Sequence, residues 1–255
     1  MGKIISVVNQ KGGVGKTTSA VNLSAGIGML GKKVLLVDID PQGNTTSGYG
    51  INKNKLEKTS YQLLIGEAKA GETIIHTAFQ NVDIIPSSID LAAAEVDLIA
   101  IEHREARLKM ALAPVREQYD YIFVDCPPSL GLITINALVA SDTVFVPIQC
   151  EYFALEGLSQ LMASIRQIKR LYNPTIEIEG ILLTMYDGRL NLTAQVVAEI
   201  KKYFSGKLYK TAIPRAVRLS EAPSYGQPIQ YYDKRSKGAI AYNDLAQEFL
   251  RRNGR

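Results

Sequence analysis

The length, composition and charge of the chain exclude several classes of protein. The sequence has 255 residues, of which 46% are hydrophobic and 21% are charged. This is ordinary globular composition, and the length fits one large α/β domain, so we expect residues 1–255 to form a single domain. The apolar runs are much shorter than the ~20 residues of a membrane-spanning helix. No signal peptide is recognisable, and two cysteines do not suggest a disulfide scaffold, so we expect a cytoplasmic protein.

The net charge of +4 is unevenly distributed along the chain. Residues 187–255 hold 13 Lys and Arg against 6 Asp and Glu, a balance of +7. Residues 1–186 hold 16 Lys and Arg against 19 Asp and Glu, a balance of −3. A basic C-terminal part indicates either a polyanionic partner or a solvated basic face, and charge alone does not separate the two.

Strand-like and helix-like segments alternate along the chain, which predicts a mostly parallel, twisted sheet flanked by helices. The predicted strands are residues 4–8, 33–38, 81–86, 120–125, 142–147, 176–184 and 208–213. The predicted helices are residues 19–30, 60–64, 71–76, 89–101, 105–116, 132–140, 152–171, 192–204 and 238–252. Residues 44–54 are rich in Gly, Asn, Thr and Ser, which predicts a loop.

A glycine-rich loop lies between the first predicted strand and the first predicted helix. It reads Gln10-Lys11-Gly12-Gly13-Val14-Gly15-Lys16-Thr17-Thr18. Glycines allow the backbone to fold tightly, so that successive N–H groups point into one concavity, and the following helix adds its positive dipole end. The order of strand, loop and helix predicts a phosphate-binding loop, with Lys16 at the β- and γ-phosphates and the Thr17 hydroxyl on Mg²⁺.

This loop departs from the usual pattern G-x-x-x-x-G-K-[ST] at one position, because Gln10 stands in place of the first glycine. A second lysine, Lys11, gives the deviant form K-G-G-x-G-K-[ST]. With each residue type near the ~7% of glycine, the six fixed positions of this form arise together by chance on the order of once in 10⁷ starting points. We therefore set aside a glycine-rich turn that binds no ligand.

Aspartates end two later predicted strands. Asp38 and Asp40 come directly before Pro41, and Asp125 ends the strand at 120–125. A carboxylate at a strand end beside a phosphate loop can hold Mg²⁺ or orient a water molecule. Asp125 is therefore predicted to bind Mg²⁺ as the aspartate of a Walker B strand. For Asp38, a purely structural role in the turn before Pro41 stays open.

Three segments together resemble the ParA/Soj family of chromosome-partitioning ATPases. They are residues 9–18, Asp38-Ile39-Asp40-Pro41-Gln42-Gly43-Asn44 and Asp125-Cys126-Pro127-Pro128-Ser129-Leu130-Gly131. The resemblance continues through residues 151–157 and 218–223. The family belongs to the deviant Walker A group, which also contains MinD and the nitrogenase iron protein. The resemblance implies a P-loop NTPase fold, an ATPase activity, ATP and Mg²⁺ as cofactors, and a homodimer in the ATP state.

The resemblance also implies roles for single residues. Lys11 would reach across the dimer interface to the partner's nucleotide, and Asp40 would position the attacking water within a first switch segment. The implied catalytic set is Lys11, Lys16, Asp40 and Asp125, and the implied metal ligands are Thr17 and Asp125. Residues 127–129 would form a second switch. The predicted ATP contacts are Lys11, Gly12, Gly13, Val14, Gly15, Lys16, Thr17 and Thr18, with Met185 and Pro214 beside the adenine.

Members of this family bind duplex DNA without sequence preference, and a ParB/Spo0J-type centromere-binding partner stimulates their hydrolysis. The candidate DNA contacts are Arg189, Arg215 and Arg218, since cations on one face suffice to bind phosphates. A lone surface arginine is more often simply solvated, and Arg218 could instead pair with Glu221. The resemblance implies a nucleoid-associated protein.

Two other functions stay open. A MinD-like membrane-associated positioning ATPase would need a terminal amphipathic helix with separate basic and apolar faces. Residues 242–252 are amphipathic but include acidic residues, and they could equally pack onto the domain. A metabolic transferase such as a ligase-type synthase would need a pocket for a small substrate. We expect no membrane association and favour chromosome or plasmid partitioning.

Overall fold

A seven-stranded sheet forms the centre of the computed structural model, which describes residues 1–151 and 153–254. Its strands are β1 (Lys3–Val7), β2 (Val34–Asp38), β3 (Ile75–His76), β4 (Val82–Ile85), β5 (Tyr121–Asp125), β6 (Thr143–Gln149) and β7 (Glu177–Thr184). The strand order is β3-β4-β2-β5-β1-β6-β7, and every neighbouring pair is parallel except β3 and β4. The predicted mostly parallel α/β fold is confirmed.

Helices connect these strands. They are α1 (Lys16–Met29), α2 (Asn44–Gly48), α3 (Ser60–Ile65), α4 (Ala70–Thr73), α5 (Ala94–Asp97), α6 (Arg107–Leu112), α7 (Leu132–Ala140), α8 (Ala154–Leu171), α9 (Asn191–Phe204), α10 (Val217–Glu221), α11 (Ile229–Tyr232) and α12 (Lys237–Arg252). The sequence predicts that helix α8 starts at Tyr152, a residue that lies outside the described ones.

Both faces of the sheet are covered, which explains why its central strands are continuous apolar runs. One apolar layer, which includes Leu35 and Ile122, packs the sheet against α7 and α8. The other layer, which includes Leu36 and Phe123, packs it against α1 and α12. Every residue of β2 and β5 is buried as a result.

The C-terminal helix α12 packs onto the domain through its apolar face. Phe249 is fully buried, and its ring centroid lies 5.1 Å from that of Tyr121 and 5.6 Å from that of Phe123. Tyr242 and Leu245 of the same face are also buried. Among the described residues, no helix combines the length and apolar character that a membrane crossing requires.

Strand register brings the predicted motifs to one edge of the sheet. Val7 of β1 and Asp38 of β2 both pair with Asp125 of β5. The loop that follows β1 therefore lies beside the two acidic strand ends. In open parallel sheets, ligands bind outside the carboxyl ends of the strands, and this edge is the expected position for the site.

The strand predicted at residues 208–213 is wrong. This segment runs beside β7 but makes only isolated bridges, between Ile181 and Leu208 and between Tyr186 and Pro214. The backbone N–H groups of Lys210 and Thr211 donate instead to the carboxylate of Glu248, each at 2.8 Å. The hydrogen-bond ladder between this segment and β7 is interrupted because the Glu248 side chain of α12 accepts from these two N–H groups.

Other predicted elements differ in extent. Residues 44–54, predicted as a loop, contain α2 and a 3-10 turn at Lys53–Lys55. The helix predicted at 71–76 ends at Thr73, and the next residues form β3. The helix predicted at 89–101 is α5 between two 3-10 turns, although its buried apolar spacing is helical. The helix predicted at 105–116 is reduced to α6, and α10 and α11 were missed.

Candidate phosphate-binding site

The loop between β1 and α1 adopts a conformation that depends on glycine. Gly13 and Gly15 have φ angles of 74° and 85°, in the left-handed region that only glycine adopts readily. Gly15 is also the residue before α1, so the helix begins without a side-chain cap. The first N–H groups of a helix need partners, and a start without a side-chain cap suits an anion.

Lys16 lies across this loop. Its residue is only 7% exposed, and its Nζ donates to the carbonyl oxygen of Lys11 at 3.2 Å. Burial lowers the pKa of Lys16, while the nearby carboxylates of Asp125 and Asp40 act in the opposite direction. A buried cation therefore sits beside the start of α1, which has no side-chain cap among the described residues, and this adds to the attraction for a phosphate.

Asp125 lies at the end of β5 and is fully buried. Its Oδ2 accepts hydrogen bonds from the hydroxyls of Thr17, at 2.8 Å, and Thr45, at 2.7 Å. Its Oδ1 is buried and has no hydrogen-bond partner among the described residues. Burial raises the pKa of the Asp125 carboxyl. A buried carboxylate oxygen without a partner is rare, and with the adjacent Thr17 hydroxyl it forms an oxygen donor set that suits Mg²⁺.

Asp38 is fully buried beside Asp125, and its oxygens are occupied by protein donors. Oδ2 accepts from the backbone N–H and the hydroxyl of Thr46, at 2.8 and 2.7 Å. Oδ1 accepts from the backbone N–H of Asp40 at 3.1 Å. Burial and the negative charge of Asp125 raise the pKa of the Asp38 carboxyl. These contacts fix residues 40–46, so Asp38 supports the turn that places Asp40.

Asp40 differs from Asp38 because it lines an open cleft. Its Oδ1 accepts from the backbone N–H of Gln42 at 2.9 Å. The cleft has a volume of about 440 Å³, which lies within the range of small-molecule sites. Its first wall is the glycine loop with Asp40, Gln42, Asn44 and Pro128.

The second wall of the cleft comes from the segments after β7 and after residue 212. It contains Thr184, Met185, Ile213, Pro214, Arg215, Ala216 and Leu219. Thr184 donates its hydroxyl to the Val14 carbonyl at 2.7 Å and so joins this wall to the loop. Tyr186 donates its N–H to the Ile213 carbonyl at 2.9 Å. Met185 and Pro214 therefore face the loop across the cleft.

The remaining predicted cations lie at different distances from the cleft. Lys11 is exposed and forms an ion pair with Glu151. Arg215 lines the cleft. The Arg189 side chain is 89% exposed and binds Asp187 through two nitrogens, at 2.6 and 2.9 Å.

Arg218 forms the ion pair that the sequence offered as its alternative role. It contacts Glu221 at 2.8 Å and Asp233 at 3.6 Å. The three candidate DNA-binding arginines are all exposed, and two of them are paired with carboxylates in this structure.

The sequence prediction missed three threonines of the site. Thr45 and Thr46 hold the two buried aspartates, and Thr184 joins the two walls of the cleft. The segment of Thr45 and Thr46 was predicted as a loop without a role. The available signal was the position of two hydroxyl residues directly after Asp40-Pro41-Gln42-Gly43-Asn44.

Sequence comparison places this chain among proteins that share its whole length. A family model described as an AAA domain matches residues 2–178. Sporulation initiation inhibitor protein Soj of Bacillus subtilis (strain 168) is 58% identical over 248 residues, which cover 97% of this chain and 98% of that protein. Chromosome partitioning protein ParA of Myxococcus xanthus (strain DK1622) is 48% identical over 253 residues, which cover 99% and 89%.

Structural comparison finds the same fold in proteins with different names. Cobyrinic acid a,c-diamide synthase from Mycobacterium smegmatis, solved with bound ATP analog and magnesium, has a TM-score of 0.87 and 35% identity, covering 100% of this chain and 98% of that chain. The septum site-determining protein MinD from Pyrococcus horikoshii OT3, complexed with Mg-ADP, has a TM-score of 0.78 and 28% identity, covering 97% and 96%.

Replacing Thr46 by valine tests the support of Asp38. The change removes a hydroxyl that donates to Asp38 and accepts from the N–H of Ser87 at 2.9 Å, while the side-chain shape is kept. Because the buried N–H of Ser87 then lacks its acceptor, and Asp38 Oδ2 keeps only the backbone N–H of residue 46, we expect the free energy of unfolding to fall by about 1–3 kcal/mol in urea denaturation. The control is Thr175→Val, at an exposed position where the hydroxyl donates only to Asn173 at 3.0 Å, with an expected change of about 0.5–1 kcal/mol. Equal effects of the two changes would contradict the supporting role of Thr46.

Proposed function

Because this chain belongs to the ParA/Soj family of chromosome-partitioning proteins, we propose that it is an ATP-dependent dimerising switch for chromosome or plasmid partitioning. In this proposal the ATP dimer binds DNA without sequence preference, and a ParB-type partner stimulates hydrolysis and releases it. The protein would act in the cytoplasm, on the nucleoid. The observation that carries the proposal is that the start of α1 and Lys16 line one cleft, and that the buried Asp125 accepts a hydrogen bond from Thr17 of the same cleft wall.

The residues of this cleft fit ATP and Mg²⁺. The N–H groups at the start of α1 and the buried Lys16 suit the phosphates, and Met185 and Pro214 across the cleft suit the base. Thr17 and Asp125 would hold Mg²⁺, through the hydroxyl and the buried Oδ1 that has no partner among the described residues. When bound, the metal neutralises charge on the phosphate oxygens. Two solved neighbours, the synthase and MinD, contain a nucleotide with magnesium, which supports this choice.

Asp40 is the residue proposed to position the attacking water. Its backbone is held by Asp38, and one carboxylate oxygen accepts from Gln42, so its carboxylate has a fixed place on the wall of the cleft. Residues 127–129, which follow the metal-binding Asp125, include Pro128 on the same wall. These two segments would respond to the γ-phosphate as the two switches.

Lys11 is proposed to act on the nucleotide of the partner protomer. A cation supplied from a second chain stabilises charge on the phosphoryl group that is transferred, as an arginine finger does. In this structure Lys11 is exposed and paired with Glu151. Exposed ion pairs contribute only ~0–1 kcal/mol, so this pair would not prevent Lys11 from moving to a partner.

The basic C-terminal part supports nonspecific DNA binding. Arg189, Arg215 and Arg218 are exposed, and residues 187–255 carry a charge of +7. Contacts to phosphates require neither base edges nor a fixed sequence, and the affinity they give falls steeply with salt.

The two rival functions have less support. The apolar face of α12 is buried against the domain, so a MinD-like anchor would require this helix to leave its place. The synthase shares the fold and 35% of the sequence, whereas Soj shares 58%. Since one fold carries several functions, the closer sequence relationship favours partitioning.

The test of the proposed function is retention of duplex DNA with ADP, ATP or a slowly hydrolysed ATP analogue across a salt series. We expect retention with the two triphosphates alone, and a steep decline as salt rises. DNA retention that did not depend on the nucleotide, or an absence of DNA retention at low salt, would overturn the proposal that ATP switches DNA binding. Liposome co-sedimentation with ATP serves as the parallel test for the membrane alternative.

Replacing Lys16 by alanine should weaken ATP binding by roughly 100-fold, because hydrogen bonds to a charged group contribute about 1.5–3 kcal/mol. Isothermal titration calorimetry would measure the dissociation constant. Lys33→Ala, an exposed lysine at the other end of the sheet, should bind like the parent chain. An unchanged affinity in the Lys16 variant would remove the phosphate role from the loop.

Replacing Asp40 by alanine should preserve ATP binding but slow hydrolysis by about 100-fold or more, since a positioned proton acceptor contributes that much. The ATP dimer should then accumulate. Phosphate release and light scattering after gel filtration would record the two effects, with exposed Glu57→Ala as the control. A parental hydrolysis rate would show that Asp40 has no part in the reaction.

Replacing Arg189 by glutamate should weaken DNA retention and leave basal ATP turnover intact, because Arg189 lies outside the cleft. The slope of log affinity against log salt should become shallower by about one for each phosphate that the variant no longer binds. Arg104→Glu, in the acidic part of the chain, is the matched charge reversal. If both variants retained DNA equally, Arg189 would have no role in binding DNA.

A further inference from the structure

A carboxylate from a distant segment caps the helix that follows the second proposed switch. Glu95, in α5, accepts hydrogen bonds from the backbone N–H groups of Leu132, at 2.8 Å, and Ile133, at 3.3 Å. These are the first two residues of α7. The residue before them is Gly131, which has no side chain that could cap the helix. A negative group is favourable there because it meets free N–H groups and the positive dipole end.

The presence of glycine at 131 makes this contact possible. A Cβ atom on Gly131 would lie 2.2 Å from Oε1 of Glu95, far inside van der Waals contact. The φ angle of Gly131 is −75°, which any residue adopts, so the backbone conformation does not require glycine. A side chain at 131 would therefore displace the Glu95 carboxylate from the start of α7.

The helix start that Glu95 holds is connected to the cleft. Thr134, in the first turn of α7, donates its hydroxyl to the carbonyl of Ser129 at 2.7 Å. Ser129 follows Pro128, which lines the cleft. A shift of the first turn of α7 would therefore move the proposed second switch.

The segment that carries Glu95 is connected to the proposed first switch at its other end. Ser87 donates its N–H to the Thr46 hydroxyl, which donates to Asp38 below Asp40. Leu91, Ala94 and Leu98 are completely buried and anchor the intervening turns in the core. One segment, anchored in the core, thus contacts the supports of both switches.

We propose that Glu95 is a positioning residue that couples the two switches, so that residues 40–46 and 127–129 respond to the γ-phosphate together. This inference rests on the proposed function, because it concerns the response of the same site to ATP. Glu95 does not line the cleft and would not contact the nucleotide. Its removal should therefore reduce the difference between the ATP and ADP states and leave ADP affinity unchanged.

The experiment compares the ratio of DNA retained with ATP analogue to DNA retained with ADP. Glu95→Ala should lower this ratio by about fivefold to tenfold, the change expected when a charged helix cap is removed. The ADP dissociation constant should stay within about twofold of the parental value, since the glycine loop is untouched. Asp97→Asn is the matched control, because this acidic residue of the same segment contacts Tyr61 and not α7.

A second variant tests the same contact from the other side. Gly131→Ala should lower the ratio as Glu95→Ala does, because the added methyl group displaces the carboxylate. In the Glu95→Ala background the same methyl group meets no carboxylate, so the double variant should match Glu95→Ala alone. If Gly131→Ala lowered the ratio in the Glu95→Ala background as much as it does in the parental chain, the proposal would be overturned.

The remaining outcomes separate the coupling from the proposed function. If the parental chain showed no difference between ATP and ADP, the proposed function and the coupling would both fail. If the parental chain switched and Glu95→Ala kept its ratio, the coupling alone would fail. A variant that lowered thermal stability and both nucleotide affinities equally, with the ratio unchanged, would reduce Glu95 to a structural cap. Should Glu95→Ala not fold, Glu95→Gln, which keeps one acceptor, must give an intermediate ratio, and a parental ratio would refute the proposal.

Discussion

The buried carboxylate of Asp125 joins the parts on which the whole site depends. It stands on β5, it accepts from Thr17 at the start of α1, and it accepts from Thr45 in α2. Removing a carboxylate from water is costly unless donors surround it, so these hydroxyls are needed for the strand end to be buried at all. The neighbouring Asp38 repeats the arrangement with Thr46. The acid pair thus fixes the loop, the first helix and the proposed first switch relative to one another.

The sequence predicted the parts of this site that are local in the chain. The order of strand, glycine loop and helix, and the acidic strand ends at Asp38 and Asp125, are short patterns with a direct physical meaning. The parallel sheet followed from the alternation of elements. The partners of these residues could not be predicted, because they lie far away in sequence. Thr45 is 80 residues from Asp125, and Glu95 is 37 residues from Leu132, so only the folded chain shows that they meet.

The surface of the C-terminal part illustrates a second limit of sequence reasoning. Counting charges identified a basic region, and the sequence offered the pair of Arg218 with Glu221, but nothing in it showed that Arg189 is bound to Asp187. DNA phosphates would have to compete with these carboxylates for the same guanidinium groups. The proposed DNA binding is therefore an exchange of one anion for another, which agrees with a weak and salt-sensitive attachment that a switch can release.

The contact of Glu248 with the segment beside β7 has a consequence for association between molecules. β7 is the last strand in the order of the sheet, and an open strand edge is a template on which a foreign strand can add. The segment 208–214 covers part of this edge through the N–H groups of Tyr209 and Ile213, and Glu248 occupies the N–H of Lys210, which a newly added strand would need. The carboxylate that interrupts the ladder thereby makes this edge a poor template for an incoming strand. This protects the fold against edge-to-edge aggregation.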